Sequence, residues 1–329
     1  MTTSSTLRRR TLIALAAVAA AAPGLAAAQA AYPNKPVRWI VGYPPGGGSD
    51  TIARVVGEGM ASALGQPVVI DNRPGASANL GGFALASAPA DGYTVMNPDN
   101  GLLIFNPILY QKMGFNPSKD MKPVGKIGRL NLVIAVPPDH PAKSFEALID
   151  MLRASKEPVQ YAASSIGSPL HLAMVRLAKE GRLNTTHIPY KGAAPAITDF
   201  LGGVVKVICV DYSTASQYIK AGKMRPLAVA SDKRIAPLPD VPTVAEKGFP
   251  GFEVYAWQGL VVPANTPDAV VAKLNTALNT ALKSKTVIDR LDGLGIEATP
   301  STPGELGALT RKEEEVWHPI VRSLGITLD

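Results

Sequence analysis

Two stretches of this chain place small and hydroxyl-bearing residues where an apolar run hands over to a helical pattern. The first is Gly42-Tyr43-Pro44-Pro45-Gly46-Gly47-Gly48-Ser49-Asp50, between the apolar run 37–41 and the periodic segment from Thr51 to Leu64. Consecutive glycines let a backbone approach a ligand closely, and the first turn of a helix offers unpaired N–H groups at the positive end of its dipole. That is an anion site, unless Ser49 or Asp50 is an ordinary N-cap in a tight turn. The second stretch is Ala163-Ser164-Ser165-Ile166-Gly167-Ser168-Pro169. Ser168 is a good N-cap and Pro169 suits the first helical position, while serine hydroxyls with free N–H groups can hold a carboxylate without a formal charge. Capping and ligand binding draw on the same N–H groups, so both roles stay open for Ser168.

Other residues qualify these two loops. Asp50 favours a helix start but repels an anion, so it is expected to cap or orient its loop unless the ligand carries an amine. Asp211 ends an apolar run and either accepts from a ligand hydroxyl or amine or caps the helix from Thr214. His171 falls in the first turn after Ser168, within reach of a ligand or simply on the surface. Tyr43, Tyr190 and Trp257 stand at loop or strand ends, where amphipathic rings line clefts, though Trp257 suits a core equally well. A hydrolase reading also exists. Ala163-x-Ser165-x-Gly167 is one residue from the nucleophile elbow, and Asp211 and His318 follow in the order Ser, Asp, His. Against it, the first glycine is missing and the helix starts too late behind Ser165. No phosphate-loop lysine follows residues 42–51, and His140, His171, His187 and His318 show no metal-ligand spacing, so neither a nucleotide, a metal nor any cofactor is expected.

The elements that must position these loops alternate. After the helix 51–64 come a short buried-type strand 68–70, a turn 71–75, a helix 79–87, a strand 93–96 and a polar loop, Asn97-Pro98-Asp99-Asn100-Gly101. Alternation of this kind predicts an α/β fold with a parallel sheet covered by helices. Two segments then resemble each other. Leu132–Pro137 leads through Asp139-His140-Pro141 to a helix 144–153, and Gly259–Pro263 leads through Asn265-Thr266-Pro267 to a helix 268–282. Between them strands 159–163, 185–190, 204–210 and 227–230 alternate with helices 169–179, 195–201 and 214–221. Paired strands bracketing such a block predict two lobes, two crossovers and one cleft, with lobe 1 formed by 31–131 plus 259–329 and lobe 2 by 132–258. Both glycine- and serine-rich loops then face the cleft from the carboxyl ends of strands. Residues 234–250 are proline-rich and read as an extended connection with a short helix near 243–247. In the last segment, 302–324, the expected buried positions are Leu306, Leu309, Val316, Ile320 and Leu324.

Residues 1–30 stand apart. Arg8-Arg9-Arg10 precedes the apolar run 11–22 and Ala28-Gln29-Ala30 has a cleavage-site form, which reads as an export signal of the general or twin-arginine type. Removing it takes away three arginines and no acids, so the formal charge falls from +7 to +7 − 3 = +4. This modest charge, with no basic cluster interleaved with aromatics, gives no footprint for nucleic acid. The single cysteine, Cys209, lies in an apolar run and reads as core.

Several blocks in fixed order resemble one family. They are Pro44–Arg54, Gly65–Ala76, Ala90-Asp91-Gly92-Tyr93-Thr94, Pro189-Tyr190-Lys191-Gly192, Pro239–Glu246 and Ala256-Trp257 with Gly259. They are similar to the Bug-type receptors, the extracytoplasmic solute-binding components of tripartite tricarboxylate transporters. The resemblance implies an α/β, two-lobed type II periplasmic-binding-protein fold with two crossover strands and a central cleft. It also implies a non-catalytic, monomeric periplasmic receptor that hands a mono-, di- or tricarboxylate to a membrane permease. Carried onto this chain, the two ligand-holding loops are Pro44 to Asp50 and Ser164 to Ser168; joined to the residues read above, the expected ligand-binding positions are Tyr43, Pro44, Gly46, Gly47, Gly48, Ser49, Asp50, Asn100, Ser164, Ser165, Gly167, Ser168, His171, Tyr190 and Asp211. Two departures stand near the expected ligand: Val210-Asp211-Tyr212 replaces a phenylalanine-aspartate-asparagine run, and no Thr-His follows Asn100-Gly101.

Overall fold

A computed structural model describes residues 32–328, so the expected export signal lies outside the described residues. The first unit follows the predicted order. Strand β1 (Val37–Val41) is buried except at Arg38, as its four apolar residues require. Helix α1 (Gly48–Leu64) buries Ile52, Val55, Val56 and Met60 on one face and stops at Gly65, whose φ of 66° is left-handed. Strand β2 (Val68–Asn72) is not the buried strand expected; it closes the edge of the sheet and leaves Val69 half-exposed. Helix α2 (Asn79–Ala86) and strand β3 (Thr94–Met96) complete the unit, with β2, β1 and β3 parallel in register.

Strand β4 (Met121–Val136) is the axis of the molecule. The sequence marked only its last residues, because Pro123, Gly125, Gly128 and two lysines interrupt the apolar pattern and the ladder shifts register at 123–125 and 126–128. Its partner changes in mid-strand: Asn131 pairs with Tyr255, and the next residue, Leu132, pairs with Asp211. On the second side it meets a further parallel group, β5 (Val159–Ala163), β6 (Thr185–Pro189) and β7 (Val207–Asp211), with β8 (Arg225–Val229) on its other edge. Helices α3 (Phe145–Ala154), α4 (Pro169–Gly181), α5 (Ala193–Leu201) and α6 (Tyr212–Lys220) cover these strands. The chain returns through β9 (Tyr255–Pro263), which lies antiparallel to β4 and begins four residues before the predicted strand. The sheet is therefore mixed and not purely parallel, ordered β2-β1-β3-β9-β4-β7-β5-β6.

Helices α7 (Asp268–Lys283), α8 (Lys285–Gly293) and α9 (Pro303–Ser323) and the short strand β10 (Ile296–Ala298) then pack back on the first unit. In α9 the buried stripe runs through Leu306, Trp317 and Val321, and Val316 is 53% exposed, contrary to expectation. Trp317 packs with its ring tilted by 60° against Phe105, centroids 5.1 Å apart, an aromatic contact that sets the face of the last turns. Cys209 is buried on β7, as its apolar setting predicted, and burial pushes its thiol up.

Candidate functional site

A cavity of about 40 Å³ sits where the two groups of parallel strands point their carboxyl ends at each other. The first group supplies Tyr43, Pro44, Gly47, Gly48 and Ser49 after β1 and Asp99 after β3. The second supplies Ser164 after β5, Gly192, Ala193 and Ala194 after β6, and Asp211 at the end of β7. Leu130 of β4 and Ala256 and Gln258 of β9 form the floor. This is the placement that open α/β sheets give their ligands.

The decisive feature is a pair of helix starts. Helix α1 has Gly47 as N-cap and α5 has Gly192, and neither receives a side-chain cap. Ser49 and Asp50 lie inside α1 and do not cap it, so the capping alternative fails there. Ser144, Ser168, Asp211, Ser284 and Thr302 cap α3, α4, α6, α8 and α9 with their side chains, and although α2 and α7 also start uncapped, at Ala78 and Pro267, neither of those starts lines the cavity. The N–H groups at 47–49 and 192–194 are thus left for something in the cavity, with two dipoles favouring a negative charge. The sequence placed the second wall at Ser164–Ser168; Ser164 does line the cavity, but the facing helix N-terminus is that of α5. The same strand–glycine–helix signal was present in Lys191-Gly192.

The remaining predicted residues divide by what they touch. Asp50 is buried and turned into its own loop, where it accepts from the Gly46 N–H at 3.0 Å, from Arg54 Nε at 2.9 Å and from Asn72 Nδ2 at 3.0 Å. Burial alone would raise its carboxyl, but these partners outweigh that and hold it below the usual range. Gly46, at φ 84°, makes the turn that permits this. Neither Gly46 nor Asp50 lines the cavity. Ser165 donates to the Tyr190 carbonyl at 3.3 Å, and Tyr190 donates to Asp199 at 3.0 Å. Ser168 caps α4 by accepting from His171 N at 3.2 Å, and the Gly167 N–H donates to His171 Nδ1 at 3.1 Å. His171 is not on the surface: it is buried, stacked at 4.3 Å on His187, and both are held neutral by burial, His171 at about 3 and His187 at about 4. Asn100 lies behind β9, donating to the Tyr255 carbonyl at 3.1 Å and bordering a separate cavity with Glu313 and Trp317. Alternation along β9 explains this, since Ala256 and Gln258 face the cleft and Tyr255 faces away.

Sequence reasoning missed Asp99 and Gln258. Tyr43 donates to Asp99 Oδ2 at 2.8 Å and Leu102 N donates to Oδ1 at 2.9 Å. Gln258 donates to Ser49 Oγ and accepts from Asn97 Nδ2 at 2.7 Å, while Asn97 accepts from Trp39 Nε1 at 2.7 Å. That buried chain fixes Ser49 from beneath.

The two sides touch around this cavity. The Ser77 hydroxyl donates to the Ile166 carbonyl at 2.6 Å. A Cβ on Gly48 would lie 2.7 Å from Asp211 Oδ1, and one on Gly192 would lie 2.9 Å from Pro44 Cδ. No triad forms: Ser165 bonds a backbone carbonyl, Asp211 caps α6 and His318 Nε2 contacts the Ile104 carbonyl at 3.1 Å.

Residues 52–326 match the model of the tripartite tricarboxylate transporter family receptor. This chain belongs to that receptor family. BugT of Bordetella pertussis is 34% identical over 322 residues, 96% of this chain and 98% of that protein. The solved structure of the periplasmic binding protein BugD superposes with a TM-score of 0.86 at 33% identity, over 90% of this chain and 99% of that one. Rpa4515 of R. palustris, solved with adipate, gives 0.87 at 32% identity, over 90% and 99%. The receptor therefore has the two-lobed periplasmic-binding fold and is a solute-binding protein, not an enzyme.

Proposed function

We propose that this receptor captures a small organic carboxylate in the periplasm and delivers it to a tripartite tricarboxylate-type permease. The observation that carries the reading is the pair of uncapped helix N-termini, Gly47–Ser49 and Gly192–Ala194, opposed across one cavity. It is supported by the adipate carried by a relative of the same fold and by the periplasmic setting of BugD. The protein leaves the cytoplasm under residues 1–30 by the general or twin-arginine route and works as a monomer. Its lobes are 31–131 plus 259–329 and 132–258, a division supported by the change of β4 partner after Asn131. A cavity of about 40 Å³ holds only a few waters at roughly 10–15 Å³ each, so an acid enters with the lobes apart and is enclosed as they close. Thermal unfolding of the mature chain against a panel of small carboxylic acids tests this. At a hundred times the dissociation constant a bound acid adds about 2.7 kcal/mol, a rise of several degrees. Neutral sugars or metal cations raising the transition while every carboxylate leaves it unmoved would overturn the reading.

A further inference from the structure

The charge inside the cavity is opposite to what a di- or tricarboxylate requires. Among the residues lining it there is no lysine, arginine or histidine, and the only carboxylates are Asp99 and Asp211. They come from opposite sides, Asp99 after β3 and Asp211 at the end of β7, and each is about 95% buried. Both are held rigidly. Asp211 takes Ser213 Oγ, Thr214 N at 2.9 Å and Thr214 Oγ1 at 2.7 Å, all on Oδ1, which leaves Oδ2 outside these bonds. Asp99 is fixed by Tyr43 and Leu102, and burial raises its carboxyl, the mark of a buried acid with no cation beside it. Ser164, also about 95% buried, lines the same cavity and makes no side-chain hydrogen bond within the described residues. Besides Gln258, which is engaged with Ser49 and Asn97, the rest of the lining is apolar, with Leu130, Leu170, Ala193, Ala194 and Ala256, and the volume of about 40 Å³ leaves no room for a long spacer.

We infer that Asp99 and Asp211 select a short amino carboxylate, whose carboxylate sits on the two helix N-termini and whose ammonium sits between the two aspartates. This deepens the receptor reading and rests on it. The zwitterion matches both features at once, because the N–H groups favour the anionic end and the aspartates the cationic end. A second carboxylate in place of the ammonium meets two buried acids in a poorly screened site, which costs affinity. A ligand with neither group leaves Asp99 and Asp211 buried without a cation.

Calorimetric titration of the mature, signal-free chain with β-alanine, L-alanine, propanoate and succinate tests the inference. The expected result is that at least one of the amino acids binds tenfold or more tighter than both propanoate and succinate. In Asp99→Asn the preference over propanoate shrinks by tenfold or more, whereas Val316→Ala, at an exposed position of α9 outside the cavity lining, leaves it unchanged. Succinate or propanoate binding as tightly as the amino acids overturns the inference while leaving the carboxylate receptor intact. No binding by any of the four, joined to a carboxylate panel that never shifts thermal unfolding, sinks both. Should Asp99→Asn fail to fold, the ranking of the four probes on the unmodified protein decides alone.

Discussion

Asp50 shows how a residue beside a binding loop serves the loop and not the ligand. It gathers the Gly46 N–H, the Arg54 guanidinium and the Asn72 amide into one buried carboxylate. Replacing it with alanine leaves those donors unpaired and is expected to cost about 2–3 kcal/mol, read as a lower urea midpoint. Because its carboxyl is held below the unfolded value of 3.8, the stability it contributes is present above that value and lost as pH falls through the lower folded one. The His171–His187 stack acts in a higher window. Burial, and for His171 the neighbouring imidazole, lowers them from 6.5 to about 3 and about 4. The unfolded chain binds protons first, so stability drops as pH falls from about 6.5 toward 4. His187→Phe, which keeps a ring against His171 and Tyr161, is expected to flatten that drop between pH 7 and pH 5 in urea titrations. An unchanged slope would show that the pair does not carry it.

At the scale of elements, two helix starts without side-chain caps make the site, and glycine is what allows the opposite wall to come so near. A Cβ at Gly48 would fall 2.6 Å from Leu130 and 2.7 Å from Asp211. Gly48→Ala is therefore expected to weaken ligand affinity at least tenfold by holding the two walls apart, while the ligand-free melting temperature falls only by about 2–6 °C, the cost of displacing the Leu130 side chain. A loss of fold instead of affinity would contradict that separation. The sequence carried most of this level: the strand–glycine–helix handovers at 41–48 and 189–193 are visible in residue types alone. What it hid followed from physics that pattern does not encode. Strand β4 was masked by the prolines, glycines and lysines that accompany its bulges, and Asp99 looked like a turn residue because nothing local says that Tyr43 will bond to it. Asn100 was assigned to the cleft because the face to which β9 turns its odd-numbered residues is a tertiary fact. Likewise the serines at 164–168 look equivalent, yet only Ser164 reaches the cavity, Ser165 being turned to the Tyr190 carbonyl and Ser168 capping α4.

The whole molecule is a pair of α/β groups hung on β4 and β9, with the described contacts bringing the two walls together. Ser77 reaches Ile166, and Arg129 of β4 is paired with Asp232 and Glu253 while it stacks at 4.1 Å over Tyr255. Under the receptor reading, small-angle scattering should give a smaller radius of gyration with a bound ligand than without one. Equal curves in both states would argue for a rigid cleft. The change of partner within β4 also dictates the order in which the chain can assemble. Every ladder partner of 132–136 arrives by Val229, whereas 121–131 wait for 255–263 and 296–298. As the polypeptide emerges from its N-terminus, the group that comes second in sequence has all its strands first, and the group that begins the sequence must stay unfinished until nearly the last residues appear.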